Sequence, residues 1–477
     1  MMDGGQHPSQ HSSSATRASS GGFSLGADLV TLHKQRERVP VLWEPDHLAN
    51  HHVAVLGTSG AGKTTWIRRF ITALPSDVQI DVFDYHGDIY TNAPDAAEVL
   101  YSRETRHGFN PLIINPDIHY GGVERAIREV LDAFNQTSTR LGIRQAELLH
   151  SLLVEVYAAR GIREDDPASW QRRVGTAREL AALHNGGDVE GLRAYFPTLS
   201  DVHEAARRRL FAQIGGIDDA GDGTAALDAF EVYRKAVGGF HRQARKMRGA
   251  EFNTDQAMEK ATTTLVDQRK AAMAAFETYL CSLENGREVD EISAMANKDT
   301  LMALMSRLRA LAATGLFEPN PPPFGRARIR RHNLRPLAQS PDELNMFLRL
   351  RLRAIIKQMM QAGHVDGRLR RMIILDEAKP FSGDEADNPI NIIATQMRKF
   401  GLGLLLASQS IHHLSQDFTK NAATLLLLDA DTQEWDAVSR SLRIPLNALK
   451  QLKHHEIAAV RMRTKTGQTQ FRGLALR

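Results

Sequence analysis

Apolar residues along this 477-residue chain follow two different rhythms. Early in the chain they come as short runs. Val53-Ala54-Val55-Leu56 stops at a glycine, and Ile80-Asp81-Val82-Phe83-Asp84 stops at the turn His86-Gly87-Asp88. β-Branched runs of this length, bounded by turn residues, predict buried strands. Between them Trp66, Ile67 and Phe70 supply the apolar face of a helix starting at Lys63. Strand, glycine loop, helix and strand together predict the opening of a parallel α/β domain.

From about Val123 to Ala313 the rhythm changes to three- and four-residue spacing, the signature of helices. Val123–Phe134, Ala146–Arg160, Ala226–Val237 and Gln256–Glu284 carry it, and strong strand signals are absent. Pro321-Pro322-Pro323 ends the block, Ala327–Arg331 reads as a short connecting strand, and a further helix presents Leu344, Leu348, Leu352, Ile355 and Met359 on one face. Strand-like runs then return at Met372–Asp376, at Gly403–Ala407 before Ser408-Gln409, and at Leu425–Asp429. The alternation from Ile457 to Leu474 about Thr466-Gly467 predicts a hairpin. Lys63 and Asp376 lie 313 positions apart, whereas roughly 100 residues supply the βα units a phosphate-binding core needs between them. The helical block therefore reads as an insertion into one domain. The expected division is a disordered tail over 1–27, the first part of the core over 28–122, the insertion over 123–320, and the rest of the core with a terminal hairpin over 321–477.

Composition adds limits. With 42% hydrophobic residues the chain can bury a sizeable interior. Lys and Arg number 60 against 56 Asp and Glu, so the net charge of +4 gives no strong overall field, and a polyanion site must come from local patches. Cys281 is the single cysteine, which excludes an intramolecular disulfide and a cysteine-based zinc site and fits a reducing cytosol. No apolar run is long enough to span a bilayer, and residues 1–27, rich in Ser, Gly and His, lack a signal-peptide core. The expectation is a cytoplasmic protein without an integral membrane segment.

Gly57-Thr58-Ser59-Gly60-Ala61-Gly62-Lys63-Thr64 matches G-x-x-x-x-G-K-[ST] between a strand and a helix, and Thr65 continues it. Its glycines let successive backbone N–H groups turn inward around phosphate oxygens, and the helix N-terminus adds positive charge. Lys63 is expected to reach the β- and γ-phosphates of ATP, and the Thr64 hydroxyl to ligate Mg²⁺. Asp376-Glu377 ends a four-residue apolar run. There Asp376 suits Mg²⁺ and Glu377 suits activation of the attacking water. Gln409 ends the next strand, where an amide serves either as a sensor of the γ-phosphate or as a polar cap. Arg398 and Lys399 end a helix, a place that dipole complementarity alone explains. Basic clusters at Arg326, Arg328, Arg330 and Arg331, at Arg349, Arg351 and Arg353, and at Arg242, Arg245 and Arg248 read singly as solvated faces, since few aromatics are interleaved. The pairs His51-His52, His412-His413 and His454-His455 lack i, i+4 metal geometry.

Four segments in order then resemble the HerA/FtsK superfamily of P-loop motors, which includes conjugative type IV secretion and TraG-like ATPases. They are His52–Thr64; Asp84-Tyr85-His86-Gly87-Asp88 with Phe109-Asn110-Pro111-Leu112; Ile374-Leu375-Asp376-Glu377-Ala378; and Arg398-Lys399-Phe400-Gly401-Leu402-Gly403 leading into Ala407-Ser408-Gln409. The resemblance implies a RecA-like P-loop NTPase core with a mainly parallel sheet and a large all-helical insertion. It also implies a hexameric ring of identical subunits, with Glu377 as the catalytic carboxylate, Gln409 as the sensor and Arg398 as a finger acting on a neighbouring subunit. The expected activity is MgATP hydrolysis that drives a DNA translocase or helicase. The alternatives are a secretion-type ATPase in a membrane-associated complex, and a nucleotide-gated scaffold with slow turnover. Two departures stand out. Only a short segment precedes the P-loop, where HerA has a small β-barrel, and the transmembrane helices of membrane-anchored coupling proteins are absent.

Overall fold

In the computed structural model, residues 22–137, 140–215, 222–247, 255–282, 298–381 and 383–476 are described. Eleven strands lie in one sheet: β1 (Phe23–Asp28), β2 (Pro40–Trp43), β3 (Val53–Leu56), β4 (Gln79–Asp84), β5 (Ala96–Leu100), β6 (Ile329–Asn333), β7 (Arg371–Leu375), β8 (Leu402–Ser408), β9 (Thr424–Leu427), β10 (Ile457–Arg463) and β11 (Thr469–Ala475). Their order is β2-β1-β11-β10-β9-β3-β8-β7-β4-β6-β5. From β9 across to β6 all neighbours run parallel, and from β9 through β10, β11 and β1 to β2 they alternate in direction. The parallel strands β3, β7, β8 and β9 are buried at every position. Coverage on both faces is why their sequences are unbroken apolar runs. The protein is thus mixed α/β, with a large sheet whose centre is parallel.

The chain forms two compact units. The first comprises the described residues through Val99, Pro323–Ala338 and those from Leu352 onward, and it holds the sheet. The helix Lys63–Ala73 lays Trp66, Ile67, Phe70 and Ile71 onto that sheet, within a core that includes Val55, Ile80, Ile374, Leu405 and Val460. The second unit, Leu100–Pro322 with Gln339–Arg351, is helical. Within it Ile143–Ala159 buries Leu148, Leu149, Leu152, Leu153, Val156 and Tyr157, and the Tyr157 hydroxyl donates to the Leu112 carbonyl at 2.9 Å. The long helices Asp222–Met247 and Asp255–Ser282 meet through a small cluster of Ala226, Leu227 and Tyr279 with Ala212.

One expectation is corrected. The segment assigned to a disordered tail over 1–27 contains β1, which pairs with β2 on one side and β11 on the other. Phe23 and Leu25 alternate into the core, and the Phe23 ring meets Trp66 at 5.5 Å and Phe70 at 5.4 Å. Flanking Ser and Gly hid a strand whose stability comes from partners far along the chain. Positions 1–21 of that assignment lie outside the described residues. Strands β2 and β5 also form without having been expected. Helical unit boundaries fall at 100 and 322, with 339–351 added, rather than at 123 and 320.

Candidate nucleotide-binding site

Because β3, β4, β7, β8 and β9 are parallel, their carboxyl ends share one edge of the sheet, the edge where open α/β folds bind ligands. A cleft of about 450 Å³ opens there, lined by residues that include Ser59, Lys63, Thr64, Asp376, Glu377 and Gln409. Gly60, Gly62 and Thr65 also line it, while Gly57, Thr58 and Ala61 form the loop beneath. Leu56 ends β3 and Lys63 begins the next helix, so six residues make the whole turn. The turn requires its glycines. Gly60 and Gly62 adopt φ of 80° and 93°, and a Cβ on Gly57 would stand 3.0 Å from that of Ala61.

Lys63 curls over this loop, its ammonium donating to the carbonyls of Gly57 at 2.7 Å and Thr58 at 3.0 Å. Burial pulls its pKa below the ordinary lysine value, against the opposing carboxylates Glu377, Asp429 and Asp88. The Thr64 hydroxyl donates to Asp88 at 3.3 Å. Asp84, Asp88 and Asp376 bring carboxylate oxygens within 4.8 Å of one another. Two of these acids differ sharply in environment. Asp84 is neutralised by Arg331, whose Nε and Nη2 approach at 2.8 and 2.7 Å, and it accepts from the N–H groups of Gly87, Asp88 and Ile89. Asp376 accepts from Tyr85 N–H at 2.9 Å and His86 N–H at 3.4 Å, but among the described residues no cation pairs with it. Burial, and then the Asp84 charge, push its pKa well above the ordinary carboxyl range. A buried, uncompensated carboxyl beside an exposed carboxylate and a threonine hydroxyl is a donor set suited to a hard divalent cation. The residues fit Mg²⁺.

Glu377 is buried at the cleft wall, held where its Oε1 accepts from the Lys379 N–H at 3.2 Å. Exposed Gln409 follows β8 and faces the same cleft. Arg398 does not line it. The residue precedes β8, near His51 and His52 at the other edge of the sheet.

Four contributors lie in segments that stand out in the sequence without a site role being assigned to them. Asp84 and Asp88 organise the acidic cluster, and His86 and His455 line the cleft. The position of Asp84 at a strand end, like that of Asp376, was the available signal. Another polar chain borders the loop: Thr58 donates to Asp429, which His454 meets at 2.8 Å. His413 meets the Ser408 hydroxyl at 3.1 Å, so these histidines have polar partners, and none joins an acidic metal cluster among the described residues.

Residues 29–160 match the family described as Helicase HerA, central domain. In fold the chain is similar to VirB4 of Thermoanaerobacter pseudethanolicus, with a TM-score of 0.54, 14% identity and 96% of each chain covered. A weaker likeness, with a TM-score of 0.48 and 12% identity over 96% of this chain and 95% of the other, joins it to the plasmid coupling protein TrwB in complex with ADP and Mg²⁺. No curated protein matches the chain in sequence. A glycine turn between a buried strand and a helix, facing acid-tipped strands on a parallel sheet, defines a P-loop ATPase. Within that fold, residues 29–160 carry the likeness to the HerA central domain.

Proposed function

We propose that this ATPase is a ring-forming motor that translocates or unwinds DNA. The observation that carries the reading is the convergence of Lys63, Thr64, Asp376, Glu377 and Gln409 on one cleft, although they come from separate stretches of the chain. Lys63 pairs with the β- and γ-phosphates once nucleotide displaces it from the Gly57 and Thr58 carbonyls. Thr64 and Asp376, with Asp88 beside them, hold Mg²⁺, which when bound offsets phosphate charge. Glu377 orients the attacking water and takes its proton, and Gln409 senses the γ-phosphate. The family described for residues 29–160 is named a helicase, which supports DNA as the substrate. A second reading, an ATPase that energises conjugative or type IV transfer, is supported by the full-length fold likeness to VirB4. No helix among the described residues is long and apolar enough to cross a membrane.

The deciding measurement is ATPase turnover with no DNA, with single-stranded DNA and with duplex, at low and high salt. DNA should accelerate turnover, and salt should erase the effect by competing for phosphate contacts. Glu377→Gln, which keeps the cleft's shape but cannot accept the proton, should bind ATP and fail to turn over in every arm. Turnover indifferent to all DNA at low salt would favour the transfer reading. Hydrolysis by Glu377→Gln at the wild-type rate would remove Glu377 from the reaction.

A further inference from the structure

Away from the nucleotide cleft, the sheet carries a second cavity whose charge is of one sign. Along β10, Ala458, Val460 and Met462 point into the core with Trp66 and Phe70. Arg461 and Arg463 therefore project from the opposite face. In the register of β10 with β11, Phe471 stands across from Arg461, and Thr469 across from Arg463, so these side chains share that face. Lys420, on helix Gln416–Asn421, and Arg443, the left-handed cap of helix Trp435–Leu442, complete the walls. The resulting cavity has a volume of about 350 Å³, within the range of about 300–1,000 Å³ typical of small-ligand sites.

Among the described residues, no acidic side chain lines this cavity. Two of its arginines are fixed by backbone: Arg461 donates to the Leu442 carbonyl and Arg463 to the Asn421 carbonyl, each at 2.9 Å. Neither satisfies a carboxylate, and the Arg463 Nε is buried without a partner. Burial, together with the neighbouring Arg463 and Arg443 charges, lowers the pKa of Arg461. Four convergent cations without a counter-charge repel one another, and an anion relieves that repulsion. Phe471 adds a flat apolar face, 36% exposed, beside the guanidinium groups. Cations that track phosphates next to an exposed aromatic ring are the chemistry of single-strand binding, where bases stack and the backbone is neutralised.

We infer that this cavity is a second anion site that holds one nucleic-acid strand, its phosphates on Lys420, Arg443, Arg461 and Arg463 and a base on Phe471. The inference rests on the proposed action on DNA and places one contact for it. The same phosphate-and-base chemistry is offered by a free mononucleotide, which the test separates from a strand.

Anisotropy of a fluorescein-labelled oligothymidylate, titrated with the full-length protein at several salt concentrations, reads the site. The double substitution Lys420→Gln with Arg443→Gln removes two exposed cations and leaves the backbone-anchored arginines. It should weaken binding about tenfold and flatten the slope of log affinity against log salt by about 1.4, at about 0.7 per phosphate contact on a single strand. Phe471→Ala should weaken binding about tenfold with the slope unchanged, and Phe471→Trp should restore it. Turnover without DNA should be the same in all these proteins. Wild-type binding with identical affinity and slope in the double variant would overturn the inference and leave the DNA reading standing. No binding of any DNA to the wild type would defeat that reading itself. In a Lys63→Ala background, which disables the nucleotide cleft, displacement of the oligomer by adenosine monophosphate at equal or lower concentration would assign the cavity to free nucleotide and overturn the strand.

Discussion

His52 is fully buried just before β3, and neither ring nitrogen has a hydrogen-bond partner. Burial, with smaller contributions from His51 and Arg398, lowers its pKa from 6.5 to about 3. The sign follows from where the proton binds. Below pH 6.5 the unfolded chain takes up a proton that the folded chain refuses, so stability is lost as pH falls from 6.5 toward 3. At about 1.4 kcal/mol per unit, the loss from this one residue is about 2 kcal/mol by pH 5. His52→Met, similar in size and without a titrating group, should remove that part of the acid sensitivity. Thermal midpoints between pH 7 and pH 5 should therefore fall less steeply in the variant. Parallel curves for the two proteins would mean that His52 is protonated in the folded state.

At the scale of elements, the parallel centre of the sheet was legible because burial on both faces leaves a one-letter signature. Val53–Leu56, Met372–Leu375 and Leu404–Ala407 are unbroken apolar runs for that reason. The edge was not legible. In β2 only Val41 and Trp43 of four residues face inward, and β1 is a six-residue strand beside a Ser- and Gly-rich stretch. The same contrast applies to chemistry. Lys63, Asp376 and Gln409 each stand where a buried strand gives way to a loop or helix, so local pattern pointed to them. Asp88 joins the acidic cluster only because β4 lies beside β7, and the basic cavity draws its four cations from three separate segments. β1 offers a test of how far its partners stabilise it. Phe23 is 8% exposed and packs against two rings of the helix that starts at Lys63. Phe23→Ala should destabilise the protein by about 3 kcal/mol, and Phe23→Leu by much less. Denaturant midpoints read the difference, and an unchanged midpoint for the alanine variant would place β1 outside the cooperative core.

For the whole molecule, the position of Arg398 bears on whether one chain is a complete catalyst. Strand β8 separates it from Gln409, and six residue steps of about 3.3 Å put roughly 20 Å between the two ends. No extended arginine spans that distance, so Arg398 does not reach its own cleft. Exposed on the turn Met397–Phe400, it is free to meet the cleft of a neighbouring subunit, and head-to-tail interfaces of that kind close into rings when the rotation permits. A guanidinium supplied across such an interface neutralises charge on the transferred phosphoryl group, an effect worth about 10³ to 10⁵ in rate. Arg398→Ala should therefore leave ATP affinity nearly intact and reduce turnover by about 10³. As a cap on a short helical turn, by contrast, its loss would cost only about 0.3–1 kcal/mol of stability. Mixing separates the two roles. Arg398→Ala subunits retain an intact cleft, and Lys63→Ala subunits retain an intact Arg398. Rings assembled from both inactive proteins should regain hydrolysis at interfaces where an intact cleft meets an intact arginine. Recovery should follow the mixing ratio, peaking near equal amounts, with assembly verified by mass photometry. Mixed rings without recovery, or near-normal turnover by Arg398→Ala alone, would confine catalysis to the single chain.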